Sequence, residues 1–328
     1  MSQEESDRRT QPEANPTDMT FPLVGPAGEK IDLWRTLVSH GMTSLPPMSI
    51  DEDARTLEVT LAIDGRRPRT VRIGSGKTGL GSIHVLGRSQ GRHTKMQLMK
   101  RVRHILRLDD DLSEFYTTAT KDPEMSWVAN GAGRMIQGAT VFEDVIKTIC
   151  TTNCAWSATE RMVGALCEHL GEAAFGVTGS GPYGRAFPSA ESMAEADESF
   201  YQNVVRAGYR GRYLRAIARS VAEGPLDLER FGRESVQELP DEELERQLLE
   251  LPGVGPYAAA HIMLTIGRYS RLIFDSWTRP KYARLVGKSS VEDATIERRF
   301  RRYGRFAGLA FWMFLTRDWV DDPEATTS

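Results

Sequence analysis

The period of the hydrophobic pattern changes once along this 328-residue chain, near residue 90, and that change sets the fold class. Before it, LEVTLAI (57–63), RTVRI (69–73) and SIHVL (82–86) alternate apolar and polar residues, the period of a half-buried strand. Gly65, Pro68 and the glycines from Gly74 to Gly81 punctuate them, which predicts antiparallel strands joined by short turns. Ahead of the strands, Ile31, Leu33, Trp34, Leu37 and Val38 predict a helix over 29–40. After residue 90 the apolar spacing is helical. Helices are predicted over 94–107, 111–119, 140–152, 155–169, 198–207, 209–222, 241–251, 256–267, 276–286, 291–303 and 307–317, with one long Gly-rich connection over 171–186. The class is α+β: a small N-terminal antiparallel sheet domain followed by a mostly helical, two-lobed body. The expected division is a disordered tail over 1–20, the sheet domain over 21–93, one helical domain from 94–135 and 269–328, and a second from 136–268.

A hydrophobic content of 40% excludes whole-chain disorder, and no apolar run approaches the roughly 20 residues of a membrane helix. The polar start MSQEESDRRTQPEANPTDM matches neither a secretory signal nor a transit peptide, so a cytoplasmic protein is expected. Three cysteines, Cys150, Cys154 and Cys167, argue against a disulfide framework and are too few for a four-cysteine iron–sulfur or zinc site. No cofactor and no side-chain metal site are expected. The net charge of −3 hides an uneven distribution. Arg88, Arg92, Lys95, Lys100, Arg101, Arg103 and Arg107 form one acid-free cluster, Arg206, Arg210, Arg212, Arg215 and Arg219 a second, and Arg298, Arg299, Arg301, Arg302 and Arg305 a third. Each suits a solvated helix face; three together also suit a polyanion.

GSGKTG (74–79) is not a phosphate-binding P-loop. That motif needs a glycine at the place held by Val71, and the run joins strands instead of opening a helix. The informative stretch is 241–280. An amphipathic helix from Asp241 ends in Leu251-Pro252-Gly253-Val254-Gly255, and Pro256 then opens a second helix, where its missing N–H costs nothing. Two glycines permit unusual torsions and close backbone approach. The free amides at the second helix's start suit a phosphate. Such a turn is either a plain helical hairpin or a backbone grip on one DNA strand. Asp275 follows Tyr257 by 18 residues, where it either caps the next helix or supplies a carboxylate to chemistry.

With these residues in view, the chain resembles the helix–hairpin–helix DNA glycosylases, in particular the branch with an N-terminal sheet domain that includes bacterial 3-methyladenine DNA glycosylase II and 8-oxoguanine DNA glycosylase. The resemblance spans about 25–320 and implies base excision repair on damaged double-stranded DNA, by a monomer. It implies that Asp275 is catalytic and that Gly253, Val254 and Gly255 hold the DNA backbone. It also allows a monovalent cation at the hairpin's carbonyls. Bifunctional members carry a lysine where this chain has Tyr257, so the departure implies base removal without strand cleavage; Lys281 lies past the aspartate. Asn153, in Cys150-Thr151-Thr152-Asn153, matches the segment that enters the gap left by a flipped base. Tyr209 and Arg210 match the segment that wedges beside and reads the opposite base. Core packing and helix capping are the other readings of Asn153 and Tyr209. Tyr257, Trp277, Phe142 and Trp312 are candidate pocket walls, each otherwise a core residue. Ala158 and Phe311 fall where 8-oxoguanine enzymes place an arginine and a glutamine, which disfavours that lesion. A monofunctional glycosylase for alkylated purines is therefore expected. The alternatives are an oxidised-purine enzyme and a non-catalytic DNA-binding module.

Overall fold

A computed structural model describes residues 18–87, 90–176 and 181–320. Most of the expected tail lies outside these residues, as do Arg88 and part of the 171–186 loop. The sheet starts earlier than expected, with β1 (Asp18–Pro22), and continues with β2 (Met48–Asp51), β3 (Thr56–Ile63), β4 (Arg66–Ser75) and β5 (Leu80–Val85). Their order is β1-β5-β4-β3-β2, with every neighbouring pair antiparallel. β1 is held by Phe21, which lies opposite Gly81; a Cβ there would meet the Phe21 ring at 2.2 Å. The GSGKTG run is the β4–β5 turn, closed by Gly76 N–H to Leu80 O at 2.9 Å and Leu80 N–H to Lys77 O at 2.8 Å.

The expected helix over 29–40 shrinks to α1 (Leu33–Leu37), which Asp32 caps through the Arg35 amide. α2 (Arg92–Ile105) was expected in the helical body. Its buried Leu98, Val102 and Ile105 instead share a core with Leu57, Val59, Val71, Ile73 and Ile83 of the sheet. The physical reason is that a sheet with one apolar face needs a cover, and α2 supplies it.

The remaining helices are α3 (Ser113–Ala119), α4 (Val141–Thr151), α5 (Trp156–Leu170), α6 (Ala190–Glu195), α7 (Arg210–Ala222), α8 (Arg230–Arg233), α9 (Asp241–Leu249), α10 (Pro256–Thr265), α11 (Thr278–Leu285), α12 (Asp293–Phe300) and α13 (Ala307–Thr316). The predicted helix over 198–207 is a single π-helical turn, Phe200–Val204. The short elements β1, β2, α6 and α8 escaped prediction because four to six residues show no period. Two further cores form the body. One gathers Ile146, Val163, Leu214, Leu248 and Ile262; the other gathers Phe115, Tyr282, Phe300 and Phe311. α10 serves both, with Ile262 and Met263 in the first and Ala260 and Leu264 in the second. Ala258 through Thr265 are all buried, so α10 is apolar all round. It is the wall between the two cores, and its N-terminus emerges where they meet the surface.

Candidate active site

The α9–α10 turn is built by Leu251 N–H to Leu248 O and Val254 N–H to Leu251 O, each 3.1 Å. Gly253 has φ +83°, and a Cβ on it would meet Tyr213 Cδ2 at 2.7 Å, so glycine is required there twice over. Gly255 differs from expectation. Its φ is −105°, a torsion open to any residue, and nothing lies within 4 Å of its would-be Cβ. The Val254 side chain points inward and packs in the first helical core. Pro256 opens α10, and no side chain caps it. The first amides of a helix lack intrahelical acceptors and carry its positive dipole end, so this terminus is available to an anion.

Asp275 performs the cap that its position suggested. Its Oδ1 accepts from the amides of Trp277 (2.8 Å) and Thr278 (2.6 Å), and the Asp275 amide donates to Thr278 Oγ1 at 2.9 Å. Oδ2 takes no part in this reciprocal box. The cap therefore fixes the carboxylate's orientation and leaves its second oxygen for other work; the two readings of Asp275 do not compete.

A cleft of about 940 Å³ joins these pieces. Asn153, Tyr209, Gly253, Gly255, Tyr257, Asp275 and Trp277 all line it, although they come from four separate stretches of chain. The Tyr257 hydroxyl lies 3.3 Å from Thr151 Oγ1. Burial, with the Asp275 charge adding to it, pushes its phenol above the usual tyrosine range, so it stays neutral. Asn153 stands exposed just past α4 at φ +47°, and Tyr209 is 49% exposed, its ring 5.9 Å from Tyr213. Trp156, 41% exposed at the first turn of α5, and Tyr213 also line the cleft. Sequence reading missed both; an aromatic three residues past Asn153 was the available signal.

Three expected site residues are placed elsewhere. Phe142 is buried against Phe187, its amide held by Glu229, because it lies on the core side of α4. Trp312 forms a second layer: its Nε1 donates to Ser39 O at 2.7 Å, and its ring packs on the cleft wall Trp277 at 5.7 Å. Arg210 is 7% exposed and donates to the Thr152 carbonyl, so it braces the Asn153 loop and does not line the cleft. Phe311 is fully buried among Phe274, Tyr282 and Phe300, so position 311 does not face the cleft and its identity bears on no base. Ala158 is half-buried and also off the cleft lining. Lys281 pairs with Asp318 at 2.5 Å outside the cleft.

No protein-family model matches the chain. It is 24% identical over 177 residues, 53% of its length, to a DNA-3-methyladenine glycosylase of Bacillus subtilis (strain 168), and the match spans about half, 55%, of that curated relative. Among solved structures, MBOgg1 in complex with a low-affinity DNA ligand superimposes with a TM-score of 0.70 at 19% identity, over 94% of this chain and 98% of that one. The 3-methyladenine DNA glycosylase of Archaeoglobus fulgidus gives 0.68 at 17% identity, over 92% and 99%. The fold is that of the DNA glycosylases. The Clostridium acetobutylicum 8-oxoguanine glycosylase/lyase, in complex with double-stranded DNA holding cytosine opposite the lesion, shares it too, at 0.67 and 20% identity over 89% and 93%.

Within this glycosylase fold the three basic clusters separate. In the first, Arg101 pairs with Asp64 (2.6 Å), Arg103 with Asp109 and Arg107 with Asp110 (2.7 Å). In the third, Arg299 pairs with Glu124 (2.6 Å), Arg302 with Asp122 and Arg305 with Glu114 (2.5 Å). In the second, no ion pair engages Arg206, Arg212, Arg215 or Arg219 among the described residues. Arg212, Arg215 and Arg219 lie along α7 and, with Glu198, line a separate hollow that shares Tyr209 with the cleft. Among the described residues, no group of three metal-ligating side chains occurs and no helix is long and apolar enough to cross a membrane.

Proposed function

We propose that the protein is a monofunctional DNA glycosylase that hydrolyses the bond between an alkylated purine and its sugar in duplex DNA. The observation that carries this reading is the cleft itself: Asp275 faces aromatic walls, Tyr257 stands beside it, and no lysine lines the cleft among the described residues. Glycosidic cleavage develops positive charge on the sugar, as in an oxocarbenium ion. A carboxylate held at that carbon stabilises the charge and orients water. With no amine in reach, no Schiff base forms and the strand stays intact. The target base must leave the stack to be reached. The α10 terminus is suited to a phosphate of the strand being gripped, and Asn153 and Tyr209 to the space the base vacates. An alkylated, cationic purine stacks well on tryptophan and tyrosine faces and is a good leaving group, so such a pocket needs few polar contacts.

A panel of single-lesion duplexes tests this. Free 3-methyladenine should be released from methylated DNA, leaving an abasic strand that breaks only on alkali or heat. Borohydride should trap no protein–DNA adduct. Release of 8-oxoguanine opposite cytosine, with methylated DNA untouched, would establish an oxidised-purine enzyme instead. A trapped adduct would show that the protein cleaves the strand as well.

The charge distribution gives a separate expectation. Reversing Arg212 and Arg215 to glutamate should weaken duplex binding and flatten its dependence on salt, because each neutralised phosphate releases counterions. The same reversal at Arg302 and Arg305 should leave the salt slope unchanged, since those residues are already paired. Equal slopes for the parent and the Arg212/Arg215 variant would remove α7 from the DNA path.

A further inference from the structure

Three indoles close a triangle at one wall of the cleft. The ring centroids of Trp277 and Trp312 are 5.7 Å apart, those of Trp277 and Trp319 5.8 Å, and those of Trp312 and Trp319 5.9 Å. All three separations lie in the range where aromatic pairs attract. Of the three residues, only Trp277 lines the cleft. It is 37% exposed, and its amide is one of the two that hold Asp275 Oδ1. Trp312 is anchored through its Nε1 bond to Ser39 O. Trp319 is 41% exposed and lies just past the end of α13, its amide bonded to Thr316 O at 3.0 Å.

What fastens Trp319 lies on either side of it in the chain. Asp318 pairs at 2.5 Å with Lys281 of α11, the helix whose opening amides Asp275 caps. The Val320 carbonyl accepts from Arg35 Nη2 at 3.2 Å. The Lys281 side chain is only 13% exposed, so its end of the ion pair is shielded from solvent. Lys281 takes no part in the cleft, and this tether is what its ammonium does instead.

We infer that Trp319 is a positioning residue: it holds the Trp277 indole as a stacking wall of the cleft, and the Lys281–Asp318 pair holds Trp319. The inference rests on the alkylated-purine reading above. A cationic purine gains from a ring face of fixed orientation. A wall free to change rotamer must be immobilised each time a base enters, and that ordering weakens binding. Trp319 packs on Trp277 from outside the cleft, so the wall is ordered in advance, on folding.

Release of 3-methyladenine in a single turnover, and affinity for a duplex holding an abasic-site analogue, should be measured in the parent, Trp319→Ala, Trp319→Phe and Lys281→Met. The expected result for Trp319→Ala is a loss of release of about three- to tenfold with unchanged affinity for the abasic duplex, which has no base to stack. Phenylalanine should restore most of the rate. Lys281→Met should lose less, and should add nothing to Trp319→Ala when the two are combined. No loss, additive losses, or release and abasic-duplex affinity falling together would overturn the inference. A second measurement needs no catalysis. The full chain is labelled with 5-fluorotryptophan at its six tryptophans, and the Trp277, Trp319 and Trp156 lines are assigned by single replacements with phenylalanine. Fluorine NMR should then show Lys281→Met moving the Trp319 and Trp277 lines together and leaving that of Trp156 in place. If those lines move but the parent releases no base, the glycosylase reading fails alone. A Trp277 line that Lys281→Met leaves unchanged overturns the inference whatever the activity.

Discussion

Replacing Asp275 by asparagine should lower single-turnover base release by about 10³-fold at saturating enzyme, while the fold and duplex affinity persist. The separation is possible because Asp275 has two tasks on different atoms. Its Oδ1 holds the amides of Trp277 and Thr278, and an asparagine Oδ1 accepts the same two bonds. What asparagine lacks is the negative charge that the sugar cation needs. Circular dichroism and a thermal melt close to the parent would confirm that the cap survived. Release at the parental rate would remove Asp275 from the chemistry and leave it a cap only. Asp275→Ala is the complementary variant: it removes cap and charge together, so it should lose activity and also melt earlier.

Gly253→Val should reduce affinity for lesion-bearing and undamaged duplex alike, by at least about tenfold, without changing which base is preferred. A β-branched side chain at φ +83° is strained by on the order of 1–2 kcal/mol, and its Cβ would press on Tyr213 at 2.7 Å. The turn must shift, and the amides that open α10 shift with it. Gly255→Ala provides the contrast. At φ −105°, with open space beside it, alanine should leave stability unchanged. Any affinity that Gly255→Ala loses then reports a ligand approaching that backbone directly. If Gly253→Val changed lesion preference instead of general affinity, the turn would belong to the base pocket and not to the strand grip.

The elements legible in the sequence share one property: their signals are local. Alternation over 57–86 appears as β3, β4 and β5, and the Leu251–Pro256 turn as the joint between α9 and α10. Asp275 was legible because a cap and its amides lie within three residues of each other. The errors are equally instructive. β1 pairs with a strand about sixty residues away and carries too few residues to show a period. Phe142 and Trp312 had the right chemistry for a pocket, yet which side of an apolar helix faces a cleft depends on what packs against the other side.

By itself, the sequence determined the α+β class, the hairpin with its Pro-opened second helix, and the spacing that brings Asp275 beside Tyr257. Only the tertiary structure decided which of three similar basic clusters keeps its charge. Arg299, Arg302 and Arg305 meet carboxylates 175 to 191 residues away, and α2 meets Asp64 across the sheet domain, whereas the arginines of α7 meet none among the described residues. It also decided that Arg210 braces a loop 58 residues distant. The physical reason is range. Capping and helical period act within a few residues and are written in the local order of the chain, whereas ion pairing and burial act through space and exist only after the chain has closed on itself.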